Sequence, residues 1–300
     1  MRNIRVYHVD AFTDQPFTGN TAGVVLDAEQ LTGEEMQQIA KELNLSESIF
    51  LLPSDQAGID YKVRYFTPTD EIPFCGHATI GLTWLLATEL GLSQQQDGVV
   101  LGTGAGAIPV VWHQEEGRVQ RVEMTQITPQ IKALPVDLQA ISEMVGIPVD
   151  AIDPAYPIQL SHTGNWHLLI PVHSQQAIDQ ATPDLTALSK HNKEHQIATT
   201  HLFTFTPDAE DDYDLYTRDF APAIGIAEDP VTGAANGALT GYLYLNHMIP
   251  QDQITQLKIA QGRAIGRPGF LYVQAIPNGD HPIIKVAGTA TITIRGTLDI

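Results

Sequence analysis

The sequence predicts an α+β fold of two related halves, each a curled mixed β-sheet around a buried central helix. First, the stretch after Gly76 carries apolar residues on every face of a helix, which is typical of a helix buried on all sides. Second, its pattern of strand, polar loop and helix recurs later in the chain, which indicates an internal duplication. Third, the predicted strands outnumber the helices and do not alternate with them singly, which argues against a doubly wound parallel sheet.

The duplication can be followed through short motifs. Arg64-Tyr-Phe-Thr-Pro68 is echoed by Arg218-Asp-Phe-Ala-Pro222, and the segment from Glu71 to Cys75-Gly-His77 is echoed by Glu228-Asp-Pro-Val-Thr-Gly233. Each motif leads into a helix, and the second helix is rich in alanine and glycine. Free N–H groups at a helix N-terminus attract anions. If the halves face each other, two such ends would converge on one cleft, where we expect the function.

Periodicity and turn residues place the elements of the first half. Thr32 and Glu35 have the spacing of a capping box, so a helix should begin there and end near Asn44. Residues 102–106 are rich in glycine, but a proline-containing strand follows them, so a hairpin turn is expected rather than a phosphate loop. The central helix should cover about residues 76–91, and the predicted strands are residues 4–10, 22–26, 49–52, 61–66, 99–101, 108–112 and 119–124.

The second half is predicted in the same way. Residues 128–135 are polar and contain two prolines, so they are expected to form a linker. Helices are predicted at residues 137–145, 175–181, 185–191 and, as the second central helix, about 233–246. Strands are predicted at residues 158–161, 167–172, 201–206, 214–220, 257–260, 270–275, 283–287 and 290–294.

Composition narrows the possible partners. The chain has 300 residues and a formal net charge of -19. The negative electrostatic field of such a chain repels nucleic acid and anionic membranes. A small anionic metabolite is still a possible substrate, because backbone dipoles can dominate inside a cleft. Cys75 is the single cysteine, so no internal disulfide can form. The sequence begins like a strand rather than a signal peptide and lacks a membrane-length apolar run, so a cytoplasmic protein is predicted.

Three ionisable residues are candidates for catalysis. Glu47 lies among apolar and hydroxyl residues, where a carboxyl with a raised pKa can pass protons in both directions. His77, in the first turn of the buried helix, could donate a hydrogen bond to a substrate oxygen or a carboxylate. Asp229 is interpreted as the counterpart of His77 in the second half. The alternative interpretations are an exposed strand-start glutamate, a structural histidine and a capping or loop carboxylate.

Other reactive residues have competing interpretations. Cys75 at a helix N-terminus could be a thiolate of lowered pKa or a small buried apolar group. Arg64 and Arg218 are expected to be structural ion-pair partners. His191 and His195 have the spacing of metal ligands on a helix, but no third ligand falls into place, so no metal site is expected.

Several ordered motifs resemble the phenazine-biosynthesis-like (PhzF-like) isomerase family, which has the diaminopimelate-epimerase-like fold. The resemblance covers essentially the whole chain and is to the YddE-type branch rather than to the phenazine enzyme itself. The motifs are Val9-Asp-Ala-Phe-Thr13, Gly19-Asn20, Ser46-Glu-Ser-Ile-Phe50, Phe66-Thr-Pro68, Cys75-Gly-His-Ala-Thr79, Glu228-Asp-Pro-Val-Thr-Gly233, Gln261-Gly262, Gly266-Arg-Pro-Gly269 and Val286-Ala-Gly288.

The resemblance implies two pseudo-symmetric domains, residues 1–126 plus 289–300 and residues 127–288, with the active site between them. It implies a homodimer with neither metal nor organic cofactor. Glu47 would be the general acid/base that moves a proton on a small carboxylate-bearing metabolite, and His77 and Asp229 would orient it and the substrate. The implied substrate-binding residues are Asn20, Cys75, Gly76, Thr232, Gly233 and Ala234.

Two departures from the family pattern keep other functions open. The phenazine enzyme has a substrate-contacting serine where this chain has Ala234, which puts dihydro-hydroxyanthranilate itself in doubt as the substrate. Cys75 resembles the first thiol of the related epimerases, but Pro230 stands at the position of their second thiol. A two-thiol racemase is therefore excluded, whereas an epimerase that uses Cys75 with Glu47 is not. The third alternative is a non-catalytic ligand-binding protein on the same scaffold.

Overall fold

The structure, a computed structural model, describes residues 2–205 and 212–300. Its helices, in chain order, are α1 (Gly33–Leu43), α2 (Gly76–Thr88), α3 (Leu138–Val145), α4 (Gln175–Asp179), α5 (Leu185–His195) and α6 (Gly233–Leu245). Its strands are β1 (Asn3–Ala11), β2 (Asn20–Val25), β3 (Glu47–Pro53), β4 (Tyr61–Phe66), β5 (Glu71–Ile72), β6 (Gly98–Thr103), β7 (Gly106–Glu115), β8 (Arg118–Thr125), β9 (Gln130–Ala133), β10 (Gln159–His162), β11 (Trp166–Pro171), β12 (Thr199–Thr204), β13 (Leu215–Ala221), β14 (Ile226–Asp229), β15 (Thr255–Gln261), β16 (Gly269–Ile276), β17 (Ile283–Gly288) and β18 (Ala290–Asp299).

The chain divides into two compact units. Unit 1 comprises residues 1–125 and 287–300, and unit 2 comprises residues 126–286. The last strand, β18, therefore returns to unit 1, where it pairs antiparallel with β1 along its length. No helix in the described part of the chain has the length and apolar content needed to cross a membrane.

Both units build a mixed sheet by the same series of strand pairings. In unit 1 the order is β18-β1-β2-β3-β4-β6-β7-β8, with β2–β3 and β4–β6 parallel and the other pairs antiparallel. In unit 2 the order is β9-β10-β11-β12-β13-β15-β16, with β11–β12 and β13–β15 parallel and the other pairs antiparallel. The shared series supports the predicted internal duplication, and the predicted α+β class with mixed sheets is confirmed.

Each sheet packs against one buried helix. Ten of the thirteen residues of α2 are buried, and eleven of the thirteen residues of α6 are buried. The small residues of α6 allow close packing, since a Cβ at Gly241 would lie 2.5 Å from the Cβ of Pro129. The prediction of two helices buried on all sides is confirmed.

The two arginines of the repeat occupy matching structural positions. Arg64 forms a bidentate salt bridge with Glu71, and its guanidinium lies 5.0 Å from the ring centre of Phe66. Arg218 forms the same bidentate salt bridge with Glu228, and its guanidinium lies 4.9 Å from the ring centre of Phe220. Both are structural ion-pair partners, as predicted, and each salt bridge holds the short strand (β5 or β14) that precedes the buried helix.

Several boundaries differ from the sequence prediction. The first central helix ends at Thr88, because Glu89 caps it and Gly91 then adopts a left-handed conformation. The predicted linker at residues 128–135 contains β9, which is held by pairing with β10 that no local pattern reveals. The capping box at Thr32 and the hairpin between β6 and β7 are as predicted. The predicted end of a strand at residue 206 lies outside the described residues.

Truncation of a side chain on α2 tests the importance of the buried helix. We expect Leu86→Ala to lower the free energy of unfolding by about 2–5 kcal/mol, because Leu86 is fully buried and its loss leaves a cavity. The matched control is Leu138→Ala, where the leucine is 48% exposed, and this change should alter the free energy of unfolding by about 0.5 kcal/mol or less. Urea unfolding followed by circular dichroism measures both, and equal losses would contradict a core role for α2.

Candidate active site

Three predicted site residues of unit 1 lie together where β3 and α2 begin. Glu47 is the first residue of β3, Cys75 is the N-cap of α2, and His77 lies in its first turn. The Nε2 atom of His77 is 3.4 Å from Glu47 Oε2, and its Nδ1 atom is 3.4 Å from the Sγ of Cys75. All three side chains are buried. The fold therefore places a carboxyl, an imidazole and a thiol within 4.8 Å of one another, with the imidazole in contact with both other groups.

The carboxyl of Glu47 is poorly satisfied. Its Oε2 atom is buried and accepts no hydrogen bond from the described residues. Burial raises the pKa of Glu47, and a hydrogen bond with Ser46 offsets this only in part. A buried carboxyl of raised pKa can both take up and release a proton near neutral pH. This is the property that a general acid/base needs.

The other predicted residues of unit 1 lie on neighbouring elements. Asn20 is buried at the start of β2, the strand that pairs with β3 so that Ala22 lies opposite Glu47. Gly76 is the first residue of α2, where backbone N–H groups have no partner within the helix. Both positions are compatible with ligand contact near Glu47, and their predicted role in substrate binding stays a prediction.

The predicted residues of unit 2 gather at the start of α6. Asp229 ends β14, Thr232 is the N-cap of α6, and Gly233 and Ala234 are its first residues. The Thr232 hydroxyl does not cap the helix but hydrogen-bonds to the carboxyl of Asp229. The first N–H groups of α6 therefore form a second potential anion site.

The repeat does not match His77 with Asp229. Gly76 and Gly233 both begin a buried helix, so His77 corresponds to Ala234. Asp229 lies opposite Asp219 on the neighbouring strand, as Ile72 lies opposite Tyr65 in unit 1. The interpretation of Asp229 as the counterpart of His77 is therefore wrong, because the two residues lie on different sides of the helix start.

Sequence reasoning also missed a buried polar network around Asp229. Asp219 is fully buried, and it accepts hydrogen bonds from Thr199 and Thr232 and pairs with His201 at 2.9 Å. The available signal was an aspartate inside the echo of Arg64-Tyr-Phe, at the position of a buried tyrosine. The remaining members of the network are His167, Asn236 and Gln261.

The unit 1 cluster also has the donor types of a metal site. Ligand atoms of Glu47, Cys75 and His77 all lie within 4.8 Å of one another, and zinc commonly takes carboxylate, thiolate and imidazole ligands. These three residues could therefore hold a metal ion, and the expectation of no metal stays a prediction. The rings of His191 and His195 lie 4.5 Å apart between their centres and are tilted by 52° to each other.

Comparison with known proteins gives consistent matches over the full length. The family described as phenazine biosynthesis-like protein (PhzC-PhzF) matches residues 9–296. The uncharacterized isomerase YddE of Escherichia coli K12 is 38% identical over 293 residues, 96% of each chain. Trans-2,3-dihydro-3-hydroxyanthranilate isomerase of Pseudomonas aeruginosa is 32% identical, again over 96% of each chain. The crystal structure of a PhzF-family protein of Bacillus anthracis has a TM-score of 0.91 at 32% identity and 100% coverage of both chains.

The raised pKa of Glu47 makes a prediction about stability. When folding raises the pKa of a carboxyl, the protein becomes less stable as the pH rises above the carboxyl's pKa in the unfolded chain, which is 4.5 for glutamate. We therefore expect Glu47→Gln to gain stability relative to the native protein with rising pH, by at most about 1.4 kcal/mol per pH unit, until Glu47 ionises in the folded state. Urea unfolding at a series of pH values measures this. Glu42→Gln at an exposed position is the control, and parallel curves for all three proteins would contradict the prediction.

Proposed function

Because the chain belongs to the phenazine biosynthesis-like family, whose named relatives are isomerases, we propose that it is a cofactor-independent isomerase that moves a proton on a small carboxylate-bearing metabolite. The observation that carries this proposal is the buried Oε2 atom of Glu47, which has no hydrogen-bond partner among the described residues and lies 3.4 Å from Nε2 of His77. A poorly satisfied carboxyl is costly to bury, and a role in proton transfer accounts for its position.

Glu47 would remove a proton from a carbon of the substrate and return it to another carbon on the same face. His77 contacts both Glu47 and Cys75, so it would orient the carboxyl and stabilise charge that develops on it. Backbone N–H groups at Gly76 would bind an oxygen of the substrate that becomes an enolate.

We propose that the substrate lies in a cleft between the two domains, so that residues of unit 2 complete the site. Asp229 would orient the substrate together with His77, and the N–H groups of Gly233 and Ala234 would bind its carboxylate. Asn20 and Thr232 would contribute further polar contacts. The methyl group of Ala234 offers no hydrogen bond, so we propose a substrate other than the dihydro-hydroxyanthranilate of the Pseudomonas relative.

A second candidate function rests on the thiol. The Sγ of Cys75 lies 3.4 Å from Nδ1 of His77 at a helix N-terminus, and both features favour a thiolate. Cys75 and Glu47 would then be the two bases of an epimerase. In the third alternative, a ligand-binding protein without catalysis, no proton exchange would be observed. The cytoplasmic location and the homodimer stay predictions from the sequence.

A hydrogen-exchange experiment tests the proposal. A panel of cyclic, α-amino and α-hydroxy carboxylates is incubated with the protein in heavy water, and deuterium uptake is read by mass spectrometry. We expect uptake by a compound of this class, and Glu47→Gln should slow it by about 10²–10⁴-fold because the general acid/base is lost.

Two further variants separate the alternatives. Cys75→Ser should have a mild effect on an isomerase that uses Glu47 alone, whereas it should abolish turnover by the epimerase. Glu42→Gln, on the exposed face of α1, should leave the rate unchanged. Deuterium uptake that persists in Glu47→Gln would contradict the proposed role of Glu47. No deuterium uptake by any compound of the panel would favour the ligand-binding alternative.

A further inference from the structure

The network at the start of α6 contains two carboxyl groups in very close proximity. Asp219 and Asp229 lie directly opposite each other on β13 and β14, and both are buried. Like charges directly opposite each other on paired strands are destabilising, and more so away from water. The hydrogen bonds around the pair show how this repulsion is avoided.

Backbone groups fix the orientation of two amide side chains in the network. The N–H of Thr232 donates to Gln261 Oε1, and Gln261 Nε2 donates to the carbonyl oxygen of Asp229. Asn236 Nδ2 then donates both to Gln261 Oε1 and to the carbonyl oxygen of Thr232. A flip of either amide would bring two donors or two acceptors together, so the donor at each position is defined.

The hydroxyl of Thr232 is then short of one proton. Gln261 Nε2 donates to its oxygen, and Oδ2 of Asp219 and Oδ2 of Asp229 both lie within hydrogen-bond distance of that same oxygen. A hydroxyl has a single proton, so it can donate to only one of the two carboxyls. The other carboxyl must donate to Thr232, and a carboxyl donates only when it is protonated.

Asp219 has the surroundings of an ionised carboxylate. Its Oδ1 accepts from Thr199 at 2.6 Å and lies 2.9 Å from Nδ1 of His201. Nε2 of His201 faces Asn236 Oδ1, which is an acceptor, so both ring nitrogens donate and the imidazole is cationic. Burial acts to raise the pKa of Asp219, but the hydrogen bond and charge of His201 hold it below its ordinary value.

His167 completes the balance of charge. Because Thr199 donates to Asp219, its oxygen accepts from Nδ1 of His167, and burial lowers the pKa of that histidine to about 4. His167 is therefore neutral. The positive charge of His201 thus balances the negative charge of Asp219.

We propose that Asp219, acting through the hydroxyl of Thr232, holds Asp229 in its neutral acid form, so that Asp229 does not repel an anionic substrate at the start of α6. Asp219 is thus a positioning residue, and the link to substrate rests on the proposed function. The order of donation is Asp229 Oδ2–H to Thr232 Oγ1, and Thr232 Oγ1–H to Asp219 Oδ2. In unit 1 the matching positions are Tyr65 and Ile72, so this device belongs to unit 2 alone.

Isotope-edited infrared spectroscopy tests the proton's location without any substrate. The protein is prepared with aspartate labelled with ¹³C at the side-chain carboxyl, so that only aspartic acid C=O bands shift and Glu47 does not interfere. At pH 7 we expect an acid band in the native protein that is absent from Asp229→Asn. A native protein without this band, or a band that remains in Asp229→Asn, overturns the proposal.

The role of Asp219 is tested with Asp219→Asn. The new amide would donate to Thr232, whose single proton would pass to Asp229 and leave it ionised, so the acid band should disappear. Asp179→Asn removes an exposed carboxylate that accepts from Tyr216 and should leave the band unchanged. An acid band that persists in folded Asp219→Asn overturns the role of Asp219.

A milder variant serves if Asp219→Asn does not fold. Thr199→Val removes one donor to Asp219, which makes its anion less stable, so the pair should keep its proton to higher pH. Loosening of the structure that admits water would move the titration to lower pH, and that result overturns the proposal. If a substrate is known, Asp219→Asn should raise KM more than it lowers kcat. Because the spectra need no turnover, failure of this proposal is distinct from failure of the isomerase proposal.

Discussion

Burial of a helix without a polar face is the constraint on which the rest of each unit depends. Such a helix must be covered by strands on all sides, and any polar group that it carries needs a partner inside the protein. Thr79 of α2 meets the hydroxyl of Tyr65, and Asn236 of α6 meets Gln261. Only the first turn retains unused backbone donors, so binding chemistry concentrates where the helix begins.

The two units share one architecture and place different chemistry on it. At the start of α2, Glu47 has a buried oxygen that accepts no hydrogen bond from the part of the chain that the structure describes. At the start of α6, Asp219 and Thr232 belong to a network in which nearly every buried atom is paired. A poorly satisfied group is suited to exchange protons, whereas a satisfied network is rigid and keeps its charges in place. The two helix starts thus share a framework but differ in how completely their buried polar groups are paired.

Much of the fold followed from local patterns, and the errors have a common physical cause. The capping box at Thr32, the hairpin after Thr103 and the two buried helices depend on neighbouring residues, so the sequence reveals them. Strand β9 exists because β10 pairs with it, and that partner is distant in the chain. The motifs identify the candidate site residues, but they do not reveal Asp219, because its partners, such as His201, come from other strands. Pairing between distant segments is what a local pattern does not contain.

The return of the last strand to unit 1 affects how the protein is made. Strand β18 pairs with β1, which precedes the whole of unit 2 in the chain, so unit 1 is completed only after unit 2 has been synthesised. Unit 2 is continuous in sequence, so its folding does not need the segment that returns to unit 1. Until that segment is in place, β1 has an unpaired edge, which can attract other chains. Chains that end before residue 287 should therefore contain a folded unit 2 and an incomplete, aggregation-prone unit 1. Such chains would be substrates for proteases and chaperones.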